Sequence, residues 1–257
     1  MNIILTNDDG IDAIGLRTLY KRLVQDGHNV GISAPLTNQS AKSQSINIKA
    51  DYKVRKDSKF EFGVEGTPAD SVLFMLFSDN FAEFKPDVVI SGINFGYNVS
   101  SDVLYSGTCG AASEVAMNGY KAIAISASSE DESSLEKAAE FVANNIEELT
   151  KHIDKYTYMS INVPVTSNAK DWEPAKLVYF SHCNKIIEGE SIEKQITIYH
   201  NVIFDERDYK DVVKELDVKE QVLKSDCELM AEGKISVSLI SVVPRTFSNR
   251  LVGMKLK

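Results

Sequence analysis

Three short polar clusters hold the residues best able to do chemistry, and each follows an apolar run directly. Asn7-Asp8-Asp9-Gly10 follows Ile3-Ile4-Leu5. Ala34-Pro35-Leu36-Thr37-Asn38-Gln39-Ser40 follows the run NVGIS that starts at Asn29. Ser91-Gly92-Ile93-Asn94-Phe95-Gly96-Tyr97-Asn98 follows Asp87-Val88-Val89-Ile90. Adjacent acids repel, and Asn7 with Gly10 could make a turn without them, so the pair Asp8-Asp9 asks for a cation. Two carboxylates, the Ser40 hydroxyl and an asparagine carbonyl are hard oxygen donors of the kind Mg²⁺ or Mn²⁺ prefers, with water completing the shell. Taken one at a time, each cluster also reads as a solvated turn. Their joint position after successive apolar runs favours the cation.

A fourth stretch, Tyr105-Ser106-Gly107-Thr108-Cys109-Gly110-Ala111-Ala112, reads as a helix entrance built of small residues. Its first N–H groups and the Ser106 and Thr108 hydroxyls would cradle a phosphate. A tight helix-to-sheet contact would select the same small residues. No phosphate-loop lysine motif is present, and Gly92-x-x-x-Gly96 is no dinucleotide fingerprint. The four histidines, His28, His152, His182 and His200, are isolated and lack metal-ligand spacing. Cys109 has no evident partner base and reads as a small packed residue.

The elements that must position these clusters alternate. Apolar, β-branched runs at 3–5, 29–33, 87–91 and 122–126 read as strands buried on both faces. Between them, Leu16, Leu19, Tyr20 and Leu23 keep helical spacing. Thr67-Pro68-Ala69-Asp70 reads as a capped helix start running through Leu76, and Ser133 with Glu136 as a capping box. Tyr158–Val163 is a further strand, closed by Pro164. The fold expected is therefore α/β: a Rossmann-like, doubly wound, mainly parallel sheet over 1–164. Beyond it, strand-like runs at 176–180, 195–204 and 235–240 lack regular crossover helices. Residues 165–257 are expected to form a C-terminal β-rich subdomain of strands and extended arms.

Over 257 residues, 28 Lys and Arg face 37 Asp and Glu, a net charge of −9. So acidic a chain is not expected to bind long nucleic acid, and it would repel phosphate compounds unless a local cation reversed the field. Three dispersed cysteines, without a C-x-x-C pair, point to no disulfide framework and to a reducing compartment. No stretch suits a membrane span, and the first residues read as structural, without a leader. The expected setting is cytoplasmic.

The chain resembles the SurE family, the survival proteins that act as metal-dependent nucleoside-monophosphate phosphatases. The resemblance lies in ILTNDDGIDAIGL from Ile4, APLTNQSAKSQSI from Ala34, GTPADSV from Gly66, and SGINFGYN from Ser91. It continues in YSGTCGAASEVA from Tyr105, INVP from Ile161 and EGKISVSLI from Glu232. It implies that Asp8, Asp9, Ser40 and Asn94 hold one divalent ion per subunit, Mg²⁺ or Mn²⁺. It implies that Asn98, Ser106, Gly107 and Thr108 line the phosphate pocket, with Asp8, Asp9, Asn98 and Ser106 as the catalytic set and Thr67 and Asp70 as support beside it. The implied substrates are nucleoside 5′- and 3′-monophosphates and short polyphosphate. The implied assembly is a homodimer or homotetramer joined by an exchanged C-terminal arm. The chain departs from the family pattern at Cys109, commonly valine, in the segment from Ser181 to Phe204, and in ISVSLI, which ends without the usual proline. A non-catalytic, metal-dependent nucleotide sensor on the same fold is the alternative.

Overall fold

The computed structural model describes residues 1–48, 51–168, 170–178, 183–193, 196–204 and 223–244. Eleven strands and five α-helices are described among them. In chain order they are β1 (Asn2–Thr6), α1 (Ile14–Gln25), β2 (Asn29–Pro35), β3 (Val54–Ser58), β4 (Glu61–Val64), α2 (Pro68–Phe77), β5 (Val88–Phe95), α3 (Gly107–Met117), β6 (Ala122–Ala127), α4 (Ser133–Lys151), β7 (Thr157–Val163), β8 (Trp172–Pro174), β9 (Cys183–Glu193), β10 (Ile196–Phe204), α5 (Asp226–Ala231) and β11 (Ile235–Ser241).

Nine strands form one sheet in the order β3-β4-β2-β1-β5-β6-β7-β11-β8. From β4 to β7 every neighbouring pair is parallel, whereas β3 and β11 run antiparallel to their neighbours β4 and β7. The chain leaves β1 toward β2 and later returns to the other side of β1 with β5. The order therefore reverses between β1 and β5, and the crevice beyond their carboxyl ends is where such sheets bind ligands. A separate antiparallel pair, β9 with β10, stands apart from this sheet.

The α/β architecture follows from which side chains had to be buried. On one face, Leu16, Leu19 and Leu23 of α1 and Leu135, Phe141, Val142 and Ile146 of α4 cover Ile3, Leu5, Ile90 and Ile123. On the other, Val72 and Met75 of α2 and the small residues Cys109, Ala111, Ala112, Val115 and Ala116 of α3 cover Ile4, Val89 and Ala124. A small third cluster joins Val99 to Ala175, Cys227, Leu229 and Met230, so α5 packs against the loop after β5. Among the described residues, no helix is long and apolar enough to cross a membrane.

Two expected local features differ. The helix expected to start on a Ser133–Glu136 capping box has Glu132 at its N-cap and no side-chain cap bond. The Asp131 carboxylate accepts the Ser133 N–H instead, at 2.8 Å, because the chain enters through Glu132 already in helical conformation. The strand expected from Lys176 is reduced to a single bridge between Lys176 and Ser225. Pairing with β11 ends where the Ala175 N–H meets the Val237 carbonyl, after which the Lys176 N–H turns to the Lys224 carbonyl. Residues 179 and 180 of that run lie outside the described residues, as does residue 195, and β10 begins at Ile196.

Candidate metal and phosphate site

The acid pair stands at the end of β1. Asn7 shapes the turn: its amide donates to the Gly10 carbonyl at 2.8 Å and accepts the Gly10 N–H at 3.2 Å. Asp8 is buried at 4% exposure, with its carboxylate against the first turn of α3. There it accepts the Thr108 hydroxyl and the N–H groups of Gly107 and Thr108. Burial still outweighs these donors, and the Asp8 pKa is raised. Asp9 is less buried, yet its pKa is pushed up to about 6, first by burial and then by the charge of Asp8, with the Phe95 N–H opposing both. Two acids raised together in this way form a site that a dication would relieve.

The second cluster reaches the first through Asn38. Its amide donates to Asp9 Oδ1 at 3.2 Å, and its carbonyl oxygen accepts the Ser40 N–H at 2.9 Å. The Gln39 N–H donates to the Asp8 carbonyl at 2.7 Å, which fixes the loop over the acid pair. Ser40 itself is exposed. The third cluster arrives by an irregularity in β5. Ser91 pairs with Ala124 and Asn94 with Ser126, so β5 carries one residue more than β6 over that interval. A bulge of this sort re-aims the side chains beyond it. The Asn94 amide then donates to the Gly96 carbonyl at 2.7 Å, so its side-chain oxygen is the atom a cation would meet. Thus β1, β2 and β5 bring Asp8, Asp9, Ser40 and Asn94 to one edge of the sheet.

The phosphate residues lie beside them, and they differ in how free they are. Ser106 caps α3, its hydroxyl oxygen accepting the Cys109 N–H at 3.1 Å, and the hydroxyl also hydrogen-bonds the Cys109 thiol. The Gly107 and Thr108 N–H groups face Asp8, so the helix end that looked like an open cradle already serves a carboxylate. Asn98 is buried and stands on a shelf from the neighbouring strands. Its N–H donates to Asn162 Oδ1 at 2.8 Å, its amide donates to Ser126 Oγ at 2.8 Å, and its carbonyl accepts from the Asn162 amide at 3.1 Å. One residue pair further on, Asp226 Oδ2 accepts the Ser100 N–H at 2.5 Å.

The other candidates are placed elsewhere. Burial drives the Cys109 thiol up to about 12, which rules against a ready nucleophile. His152 pairs with Glu148 on α4, and His28 lies beside the chain's amino group. Residue 182 lies outside the described residues. Sequence reasoning passed over Asn38, Asn162 and Asp226. Asn38 and Asn162 sit inside quoted motifs, TNQS and INVP, where a polar residue flanking a strand end is a usable signal. Asp226 gives none, since it lies far from the site in sequence.

A Rossmann-like sheet with two acids, a hydroxyl and an amide at its switch point defines the class, an α/β protein whose candidate site lies beside a helix N-terminus. The family model described as Survival protein SurE matches residues 3–185, and the chain belongs to that family. It is 49% identical over 130 residues to the 5′-nucleotidase SurE of Solidesulfovibrio magneticus, covering 49% of this chain and 50% of the relative. The aligned stretch thus spans about half the length of that and several other curated relatives. The 5′-nucleotidase SurE of Fervidobacterium nodosum is 35% identical over 250 residues, which are 94% of this chain and 92% of the relative. The crystal structure of the SurE protein from Aquifex aeolicus shares the fold, with a TM-score of 0.75 at 24% identity over 98% of this chain and 97% of that one.

Proposed function

We propose that this protein is a metal-dependent phosphomonoesterase that hydrolyses nucleoside 5′- and 3′-monophosphates, and accepts short polyphosphate. The observation that carries this is the convergence of Asp8, Asp9, the Asn38-tied Ser40 loop and Asn94 beside the α3 N-terminus. The relatives named 5′-nucleotidase support the substrate class. Asp8, Asp9, Ser40 and Asn94 would hold one divalent ion per subunit, Mg²⁺ or Mn²⁺. The donor set fits such an ion, since burial burdens both carboxylates and the charge of Asp8 burdens Asp9 further. When bound, the ion supplies Lewis-acid polarisation of a phosphoryl oxygen.

The chain's own residues do the rest. The Ser106 hydroxyl, turning from the Cys109 thiol, and the second hydrogen of the Asn98 amide bind phosphoryl oxygens, including charge that develops in the transition state. Thr108, with the Gly107 N–H, keeps Asp8 in place. A water oriented by Asp8 attacks phosphorus in line with the ester oxygen. The new P–O bond forms as the ester P–O bond breaks, and the water's proton ends on the departing nucleoside hydroxyl. We assign the catalytic machinery to residues 1–164 and subunit assembly, as a cytoplasmic homodimer or homotetramer, to residues 165–257.

The test is phosphate release from a nucleotide panel, with EDTA, Mg²⁺ and Mn²⁺ compared in parallel. The expected result is release with metal, abolished by EDTA, and reduced about 100-fold or more in Asp9→Asn, the usual cost of one charge-stabilising group. Binding of nucleotide without release would favour a sensor.

A further inference from the structure

Between Asn98 and Ser106, the two proposed phosphoryl donors, the chain turns a corner at Ser100. Its φ is +55°, in the left-handed region that a residue with a side chain enters only at a cost. Ser100 opens a short 3₁₀ turn, Ser100–Leu104, which leads straight into α3. The Tyr105 and Ser106 N–H groups both close on the Asp102 carbonyl at 2.9 Å. The shape at Ser100 therefore sets the span between Asn98 on one side and Ser106 on the other.

What holds Ser100 in that shape comes from far along the chain. Asp226, at the start of α5 and 1% exposed, accepts the Ser100 N–H on Oδ2 at 2.5 Å. Its Oδ1 accepts the Cys227 N–H at 2.9 Å, so both oxygens are engaged. The Ser100 hydroxyl donates to the Val178 carbonyl. Val99, fully buried, packs with Ala175, Cys227, Leu229 and Met230. All these partners belong to the segment to which assembly is assigned. The described partners of Asp226 are the two N–H groups and the Cys227 thiol, with no cation among them. A carboxylate buried without a cation is costly, and stability alone does not call for one.

Resting on the proposed phosphatase function, we propose that Asp226 is a positioning residue for the phosphoryl-binding groups. By holding Ser100 in its left-handed turn, it sets where Asn98 and Ser106 present their donors. The proposed metal ligands are fixed elsewhere, by Thr108 of α3, by Asn38 and by the Gly96 carbonyl. Loss of Asp226 should thus weaken phosphate binding and spare the metal.

The experiment uses the full chain with a nucleoside 5′-monophosphate as substrate and inorganic phosphate as inhibitor. The rise in melting temperature on adding Mn²⁺ reports the metal half separately. Asp226→Ala offers the two N–H groups no acceptor, and Asp226→Asn offers them one. The inhibition constant for phosphate is expected to rise about tenfold in Asp226→Ala and about threefold in Asp226→Asn, the range of one hydrogen bond to a charged group. The Mn²⁺ response should match wild type in both. Glycine enters the left-handed region freely, so Ser100→Gly should release the site from its need for Asp226. Adding Ser100→Gly to either variant is expected to return the constant to within about twofold of Ser100→Gly alone. A constant within twofold of wild type in both variants would overturn the assignment. So would a Mn²⁺ response lost along with phosphate binding, or a loss that Ser100→Gly leaves untouched. Should Asp226→Ala fail to fold, Asp226→Asn decides the same points. If wild type releases no phosphate from the nucleotide, the phosphatase function falls and this assignment with it. Normal release by wild type with an unmoved constant in the variants ends this assignment alone.

Discussion

A methyl group on Gly107 would lie 2.7 Å from the Asp8 Cβ, closer than packed atoms tolerate. Glycine here is what lets α3 present two N–H groups to a carboxylate at the end of another strand. Gly107→Ala is therefore expected to displace Asp8 while leaving the helix intact. The check is the rise in melting temperature on adding Mn²⁺, which should shrink or vanish even where the metal-free variant melts near wild type. A second prediction concerns Asp226, buried with its pKa pushed up to about 6 by burial, against the Ser100 and Cys227 N–H donors. Its folded pKa lies above the unfolded value of about 3.9, so between those values the folded state binds more protons. Stability from this group is thus present at low pH and is lost as pH rises toward 6, by on the order of 2–3 kcal/mol in all. Asp226→Asn should flatten that part of the melting-temperature profile. The acid pair was legible because like charges side by side are anomalous in any turn. Asn38, Asn162 and Asp226 were not, because a lone amide or acid looks the same whether it faces water or a neighbouring loop.

At the scale of elements, α2 does more than cover the sheet. Its capping box, Thr67 with Asp70, spends its outward hydrogen bonds on the loop that carries Ser40. Removal of a cap alone costs about 1 kcal/mol. Asp70→Ala also strands the partners in Asn47 and Tyr52, so a larger loss of melting temperature is expected, together with a weaker apparent affinity for Mn²⁺ in titrations of activity. The loop meets α3 as well: a methyl on Gly110 would come within 2.2 Å of the Ser43 carbonyl. The buried parallel strands and the helices between them could be read from apolar runs and spacing, since burial on both faces leaves little choice of residue. The α2 cap was equally plain. The edge hairpin β3–β4 was not, because β3 is exposed along its whole length and carries no pattern. Ser133 misled for a related reason: a capping box is a local signal, and Asp131 offered a better acceptor two residues earlier.

For the molecule as a whole, the net charge of −9 opposes an anionic substrate everywhere except near a bound cation. Salt screens that repulsion, so kcat/KM for a nucleotide should rise with added KCl at low ionic strength, measured at saturating Mn²⁺. A ligand that binds only the folded state adds about 2.7 kcal/mol at a concentration of 100 Kd, which a thermal melt would register. The sheet order holds a further consequence. Every proposed ligand lies within the first 108 residues, yet the Asn98 shelf is completed from outside them, by Asn162 of β7 and by Asp226 at the start of α5. During synthesis the acid pair and its loop emerge early, while the loop after β5 waits for Asp226, 126 residues beyond Ser100, to reach it. A growing chain would then carry the acid pair and its loop before it has a finished shelf beside them, and chemistry would begin only once α5 has been made.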